Sequence, residues 1–155
     1  MAATSTNKQP LLVDRVLHYV VNLDTSTNAS MDITGTNTAS LIVDATNTDG
    51  AILEDIYVIA RSTAPHKVNL YISSARDYLR PNEANFVGTL TSGTTAGEAV
   101  HWAGMPLTLT PVPQVGEKPF NQAFYLPKGT SLWAAREGSA NLSDGPLIGC
   151  QGGWY

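Results

Sequence analysis

His18, His66 and His101 are the side chains here best suited to acid–base or metal chemistry. An imidazole titrates near neutral pH, and its ring nitrogen is a common metal ligand. A shared site needs two or more of them at one point, which local HxH or HxxxH spacing achieves on a strand or helix. No such spacing occurs, and the three histidines fall on three separate elements, so each reads as a structural or surface residue. Cys150 is the single cysteine. It makes no internal disulfide, and a thiolate zinc site needs further ligands. A nucleophilic role would require a neighbouring base to lower its pKa. In an apolar stretch between Gly149 and Gln151 it reads instead as a small buried hydrophobe.

The remaining candidates are weaker. Glu54 and Asp55 are adjacent, and neighbours on a strand point to opposite faces, so they are not expected to act on one bond. "GTTAG", Gly93 to Gly97, lacks the Gly-Lys-Ser/Thr end of a phosphate loop. Asn28-Ala29-Ser30 and Asn141-Leu142-Ser143 fit the glycosylation sequon but read as ordinary loop residues. Trp102, Trp133 and Trp154 are the ring type of a sugar-binding platform, with core or interface packing the commoner use. No catalytic residue, no cofactor site and no metal site is expected, and the chain is not expected to be an enzyme.

The elements that carry these residues read as strands. "RVLHYVVNL" alternates Leu17, Tyr19, Val21 and Leu23 with Val16, His18, Val20 and Asn22, which predicts a strand from Arg15 to Leu23. "LIVD" is a second strand, and Asp49-Gly50 a turn after it. "AILEDIYVIARS" is apolar on both faces, with Ile52, Ile56, Val58 and Ala60 on one side and Leu53, Tyr57 and Ile59 on the other. Such a strand is central in a sandwich or covered by a neighbouring subunit. "KVNLYIS" and "NFVGTLTS" form a hairpin around the polar loop Ser74 to Asn85. "QAFYLPKGTSLWAAR" is a β-turn-β signature about Pro127-Lys128-Gly129, and "LIGCQGGWY" a closing strand. Weaker extended stretches are read at Met31 to Ile33 and Leu107 to Leu109.

Four of the nine prolines lie between Met105 and Phe120, so the stretch from Gly93 to Phe120 is read as a long connection. No window holds a helical period, which predicts one all-β domain over 15–155, an antiparallel β-sandwich of jelly-roll type, behind an arm at 1–14. In the arm, Pro10, Leu11, Leu12 and Val13 form an apolar anchor after a polar start.

Composition narrows the function classes. Charged residues are 14% of the chain, against roughly 25% in ordinary domains, and the net charge is -4. Without a basic patch, nucleic-acid binding has no electrostatic basis. No apolar run approaches the ~20 residues of a membrane helix, and "MAATSTNKQP" has no signal-peptide core. Neither nucleic acid nor membrane is an expected partner, and synthesis without Sec-type secretion is expected.

The second half carries a recognisable pattern. "EDIYVIARSTAPHKVNLYISSARDYLR" is a strand, a polar break and a strand ending in a loop, followed by "FYLPKGTSLWAAR" and "IGCQGGWY". This resembles small β-sandwich virion proteins of tailed bacteriophages, in which "ITVRAT" and "VRLFLYD" strands precede "LPAGWSLRAS" and a "GGDF"-like end. The resemblance spans Glu54 to Tyr155, and "TNKQPLLVDR" is similar to sequences from cyanobacterial phages. The Pro-rich stretch from Met105 to Pro119 has no counterpart in that pattern. The resemblance implies a capsid decoration, or cement, protein, made in the host cytoplasm and placed on the outer capsid surface. It implies a homotrimer bound to the major capsid protein. Pro10, Leu11, Leu12 and Val13 would be the capsid-contact arm, and Tyr57, Trp154 and Tyr155 would lie at the subunit interface. A tail or baseplate adhesin, binding host-surface glycan through the tryptophans and the Ser74 to Asn85 loop, is the alternative.

Overall fold

A computed structural model of the chain describes residues 15–23, 39–74, 86–102, 124–137 and 144–154. Nine strands and no helix lie among them: β1 (Arg15–Asn22), β2 (Ser40–Asp44), β3 (Gly50–Ile59), β4 (Lys67–Ser73), β5 (Phe86–Thr91), β6 (Ala99–His101), β7 (Phe124–Pro127), β8 (Ser131–Arg136) and β9 (Leu147–Trp154). Every pairing is antiparallel. One sheet runs β1-β9-β3-β6, with β7 also paired to β3; the other runs β2-β8-β4-β5. β6 and β7 share one edge of β3, pairing with Tyr57 to Ile59 and with Gly50 to Leu53 respectively. Taken as one interrupted strand, they complete the wrapped order of a jelly roll, in which the early strands pair with the late ones. The expected all-β sandwich is the fold. The arm at 1–14 and the stretches Met31 to Ile33 and Leu107 to Leu109 lie outside the described residues.

The turns have local causes. Gly50 at φ 129° and Gly129 at φ 78° occupy backbone that L side chains rarely adopt. The two turns lie side by side: the Gly129 and Ala45 amides donate to Ala45 and Thr130 carbonyls, at 3.0 and 2.9 Å. β6 falls inside what the sequence presents as a long connection. Three residues are too few to show a period, and the strand exists because β3 offers it an unpaired edge.

Between the sheets lies one apolar core. Leu17, Leu53, Ile56, Val58, Ile148 and Cys150 come from the larger sheet, and Val68, Leu70, Leu90 and Leu132 from the smaller. β3 departs from simple alternation. Its register to β9 shifts between Leu53, opposite Gly152, and Asp55, opposite Gln151. Glu54 is the extra residue of a β-bulge, which puts two residues between core-facing Leu53 and Ile56. The expected face assignment is therefore corrected: Leu53 joins Ile56 and Val58 in the core, and Ile52 is turned away from it.

The outer faces differ. On the four-stranded sheet Tyr71, Trp133 and Ala135 form a second buried cluster with Leu41 and Phe86. The outer face of the five-stranded sheet is open, with Val16 78%, Val20 49% and Tyr125 36% exposed.

Candidate functional site

The open face carries a line of polar groups at its centre. Its rows are set by strand register. One row runs Val16, Gly153, Ile52 and Tyr125; the next His18, Gln151 and Asp55; the third Val20, Gly149, Tyr57 and His101. Tyr57 ties the rows together. Its ring lies over Gly149, where an added Cβ would stand 2.3 Å from Tyr57 Cζ. Crossing that glycine brings the hydroxyl to 3.0 Å from His18 Nε2 on β1. On the other side the Tyr57 and His101 rings stand 5.8 Å apart at 47°, and His101 Nδ1 lies 2.8 Å from Asp55 Oδ2.

The structure thus joins His18 and His101 in one cluster, although strands β9 and β3 lie between their own. A missing side chain at Gly149 and a long one at Tyr57 span the gap, which no local spacing reveals. His66 is elsewhere, before β4, with its amide donating to Ser92 Oγ at 2.9 Å. The bulge also corrects the reading of the carboxylates. Neither Glu54 nor Asp55 faces the core: Glu54 is exposed, and the Asp55 side chain is 14% exposed.

Electrostatics make this cluster a hydrogen-bonding device. Burial, then the nearby Cys150 and Asp55, push the Tyr57 hydroxyl above its usual pKa, so it stays protonated at neutral pH. The Asp55 carboxylate orients the His101 ring through one oxygen. Its other oxygen, Oδ1, is buried with no hydrogen-bond partner, and an orphaned buried acceptor is costly. No group of three His, Cys, Asp or Glu side chains that could hold a metal ion occurs among the described residues.

The other sequence-derived candidates separate clearly. Cys150 is buried in the core, and burial pushes its thiol up to about 12. Trp154 is also in the core, 5% exposed, with the Arg15 guanidinium 5.7 Å from its ring centroid. Little of that ring is left for a neighbouring subunit. Trp102 packs in the same core against Phe124 and over Gly88, and Trp133 is buried in the second cluster, its indole N–H donating to Ser131 Oγ at 2.7 Å. No tryptophan is displayed as a sugar platform. Tyr57 is the proposed interface residue that lies on the open face. Tyr155, Pro10, Leu11, Leu12 and Val13 lie outside the described residues.

A shallow cleft of about 350 Å³ sits between the two neighbouring turns, lined by Thr46, Asn47, Thr48, Asp49 and Lys128. Lys128 Nζ donates to Asp49 Oδ1 at 2.7 Å, which lowers the carboxyl and raises the amine from their ordinary values. Both side chains are 73% exposed, so salt screens the pair. No protein family, curated protein or solved structure matches the chain.

Proposed function

We propose that the chain is a structural virion protein, a decoration protein that binds the outer surface of a tailed-phage head as a homotrimer and stabilises it. The observation that carries this reading is the uncovered outer face of the five-stranded sheet, with Val16, Val20 and Tyr125 exposed around its polar centre, on a sandwich whose other sheet carries a second buried cluster on its outer face. A sheet face left uncovered, with large apolar side chains exposed on it, is a surface available to a partner. The resemblance of Glu54 to Tyr155 to virion sandwiches supplies the context, since a jelly roll alone hosts many functions. In this reading Tyr57 lies at the subunit contact, and Pro10 to Val13 dock on the major capsid protein.

Stabilisation would come from apolar burial across capsomer joints, at roughly 25 cal/mol per Å² before ordering costs. Cryo-electron microscopy of purified particles tests the placement. The expected density is on the head, in many copies; density confined to the tail overturns it and favours the adhesin reading. Deleting residues 1–13 is expected to leave a folded oligomer that decorates empty shells more weakly than the full chain, measured by co-sedimentation.

A further inference from the structure

We infer that the open edge of β1 is a self-pairing strand: β1 of a second copy of this chain adds to it antiparallel, around a two-fold axis through His18. The inference names a contact between copies, and it does not rest on the virion reading.

β1 is the outermost strand of the five-stranded sheet, paired along one side with β9. Among the described residues no strand pairs with its other side. Register tells which backbone groups point there. One residue past β1, the Leu23 amide donates to the Pro146 carbonyl at 3.2 Å. Antiparallel residues alternate between bonding the partner strand and pointing away from it. Leu17, Tyr19 and Val21 therefore bond β9, and the amides and carbonyls of Val16, His18 and Val20 point outward. These are ladder groups, so the occupant they fit is another extended backbone.

The edge lacks the devices that keep sheet edges apart. Val16 to Val21 contain no lysine, proline or glycine, and the unbroken register with β9 leaves no bulge. Val16, Tyr19 and Val20 are three of the four large apolar side chains exposed among the described residues. Tyr19 points to the core side like Leu17, yet it is half exposed.

The order of residues along the edge selects β1 itself as the mate. Val16-Leu17-His18-Tyr19-Val20 reads apolar-apolar-His-apolar-apolar in both directions, with a valine at each end. Around an axis at His18, normal to the sheet, Val16 faces Val20 of the other copy and Leu17 faces Tyr19. Each of these pairs occurs twice, the reciprocity of an isologous contact. The outward residues then face one another, and each facing pair exchanges two backbone hydrogen bonds. An axis at Leu17 sets Val16 against His18, and an axis at Tyr19 sets it against Asn22, so apolar side chains meet polar ones. An axis between residues opposes outward groups to inward ones and makes no ladder. His18 also leaves room at the axis. Its Nε2 lies 3.0 Å from the Tyr57 hydroxyl on β3, which draws the ring over β9 and away from the edge.

The contact uses an edge and leaves the face that carries Tyr57 to the proposed homotrimer. It joins a chain of one trimer to a chain of another.

Cysteine cross-linking tests the register. Across the axis the Cα atoms of Val16 and Val20 stand about 5.5 Å apart, within the span of a disulfide. Within one chain they are separated by roughly 13 Å of strand, and Val16 is at least as far from Val16 of the other copy. Any disulfide in the variant V16C/V20C therefore joins two chains, and Cys150 is buried and stays out of the reaction. In the full chain under mild oxidation, V16C/V20C is expected to yield covalent dimer at roughly tenfold or more the level of V16C or V20C alone. In that background His18→Lys sets two ammonium groups against each other at the axis and is expected to lower the yield severalfold, whereas the neutral His18→Gln is expected to keep it. Thermal unfolding checks the fold of each variant, and the comparison of single with double variants decides alone where a His18 variant unfolds. Equal yields from single and double variants overturn the inference, and so does a yield that a folded His18→Lys variant leaves unchanged. No capsid shell is needed, so failure here leaves head placement standing, and failure of head placement leaves the edge pairing standing.

Discussion

Cys150 shows what surroundings do to a reactive side chain. Its thiol is packed among Leu17, Ile56 and Ile148, and burial penalises the thiolate, moving the pKa from 9.0 to about 12. A thiol held neutral is a poor nucleophile. Iodoacetamide at pH 8 is therefore expected to leave the native chain unmodified and to alkylate it fully in denaturant, as read by mass spectrometry. The same shift links to stability. Between the two pKa values the unfolded chain releases the proton and the folded chain keeps it. Stability from this group is complete below about pH 9 and falls as pH rises toward 12, by up to about 4 kcal/mol. Unfolding midpoints at pH 8 and 11 should differ in that direction, and Cys150→Ala should reduce the difference, leaving the part that the raised Tyr57 hydroxyl contributes. Cys150 was legible as a buried hydrophobe from its apolar neighbours. The tie between His18 and His101 was not, because it depends on which strands β9 separates and on the empty position at Gly149.

At the scale of the element, the bulge in β3 organises both faces. Most strands were legible because apolar and polar residues alternate in their sequence, Leu17 against His18 in β1 and Leu70 against Asn69 in β4, although Asn69 and Tyr71, on the outer face of β4, are buried as well. In β3 apolar residues fall on both faces, so period 2 leaves the phase undetermined, and one extra residue, Glu54, changes it halfway. The partner of the bulge is Gly152. A Cβ there would stand 1.9 Å from the Ile52 carbonyl oxygen and 3.0 Å from Leu53 Cα. These are backbone atoms held between two neighbouring strands, so they have little room to retreat. Gly152→Ala is expected to cost about 3 kcal/mol or more, in the range kept for strain in a packed core, read as a lowered denaturant midpoint. Gly149→Ala meets only the far end of the Tyr57 ring, which can swing aside, so it should cost distinctly less.

For the whole molecule, the closing strand decides whether the sandwich holds. β9 sits between β1 and β3, pairing along its length with both. It ends in Trp154, whose ring lies in the core with Leu17 and Leu53. Sheet count, order and the placing of Trp154 follow from non-local pairing, so the sequence showed a terminal strand with an aromatic end but not which side that ring fills. Ending the chain at Gly153 removes the Trp154 ring and its pairs with Arg15 and Ala51. Loss of a buried tryptophan costs about 3–5 kcal/mol through transfer and cavity terms. In a domain of this length that lowers Tm by roughly 10 °C, measured by circular dichroism on the truncated chain. The open face should survive at low temperature, because Gln151, Asp55 and Val16 keep their strands. A chain truncated at Gly153 that keeps the full Tm would place Trp154 outside the core.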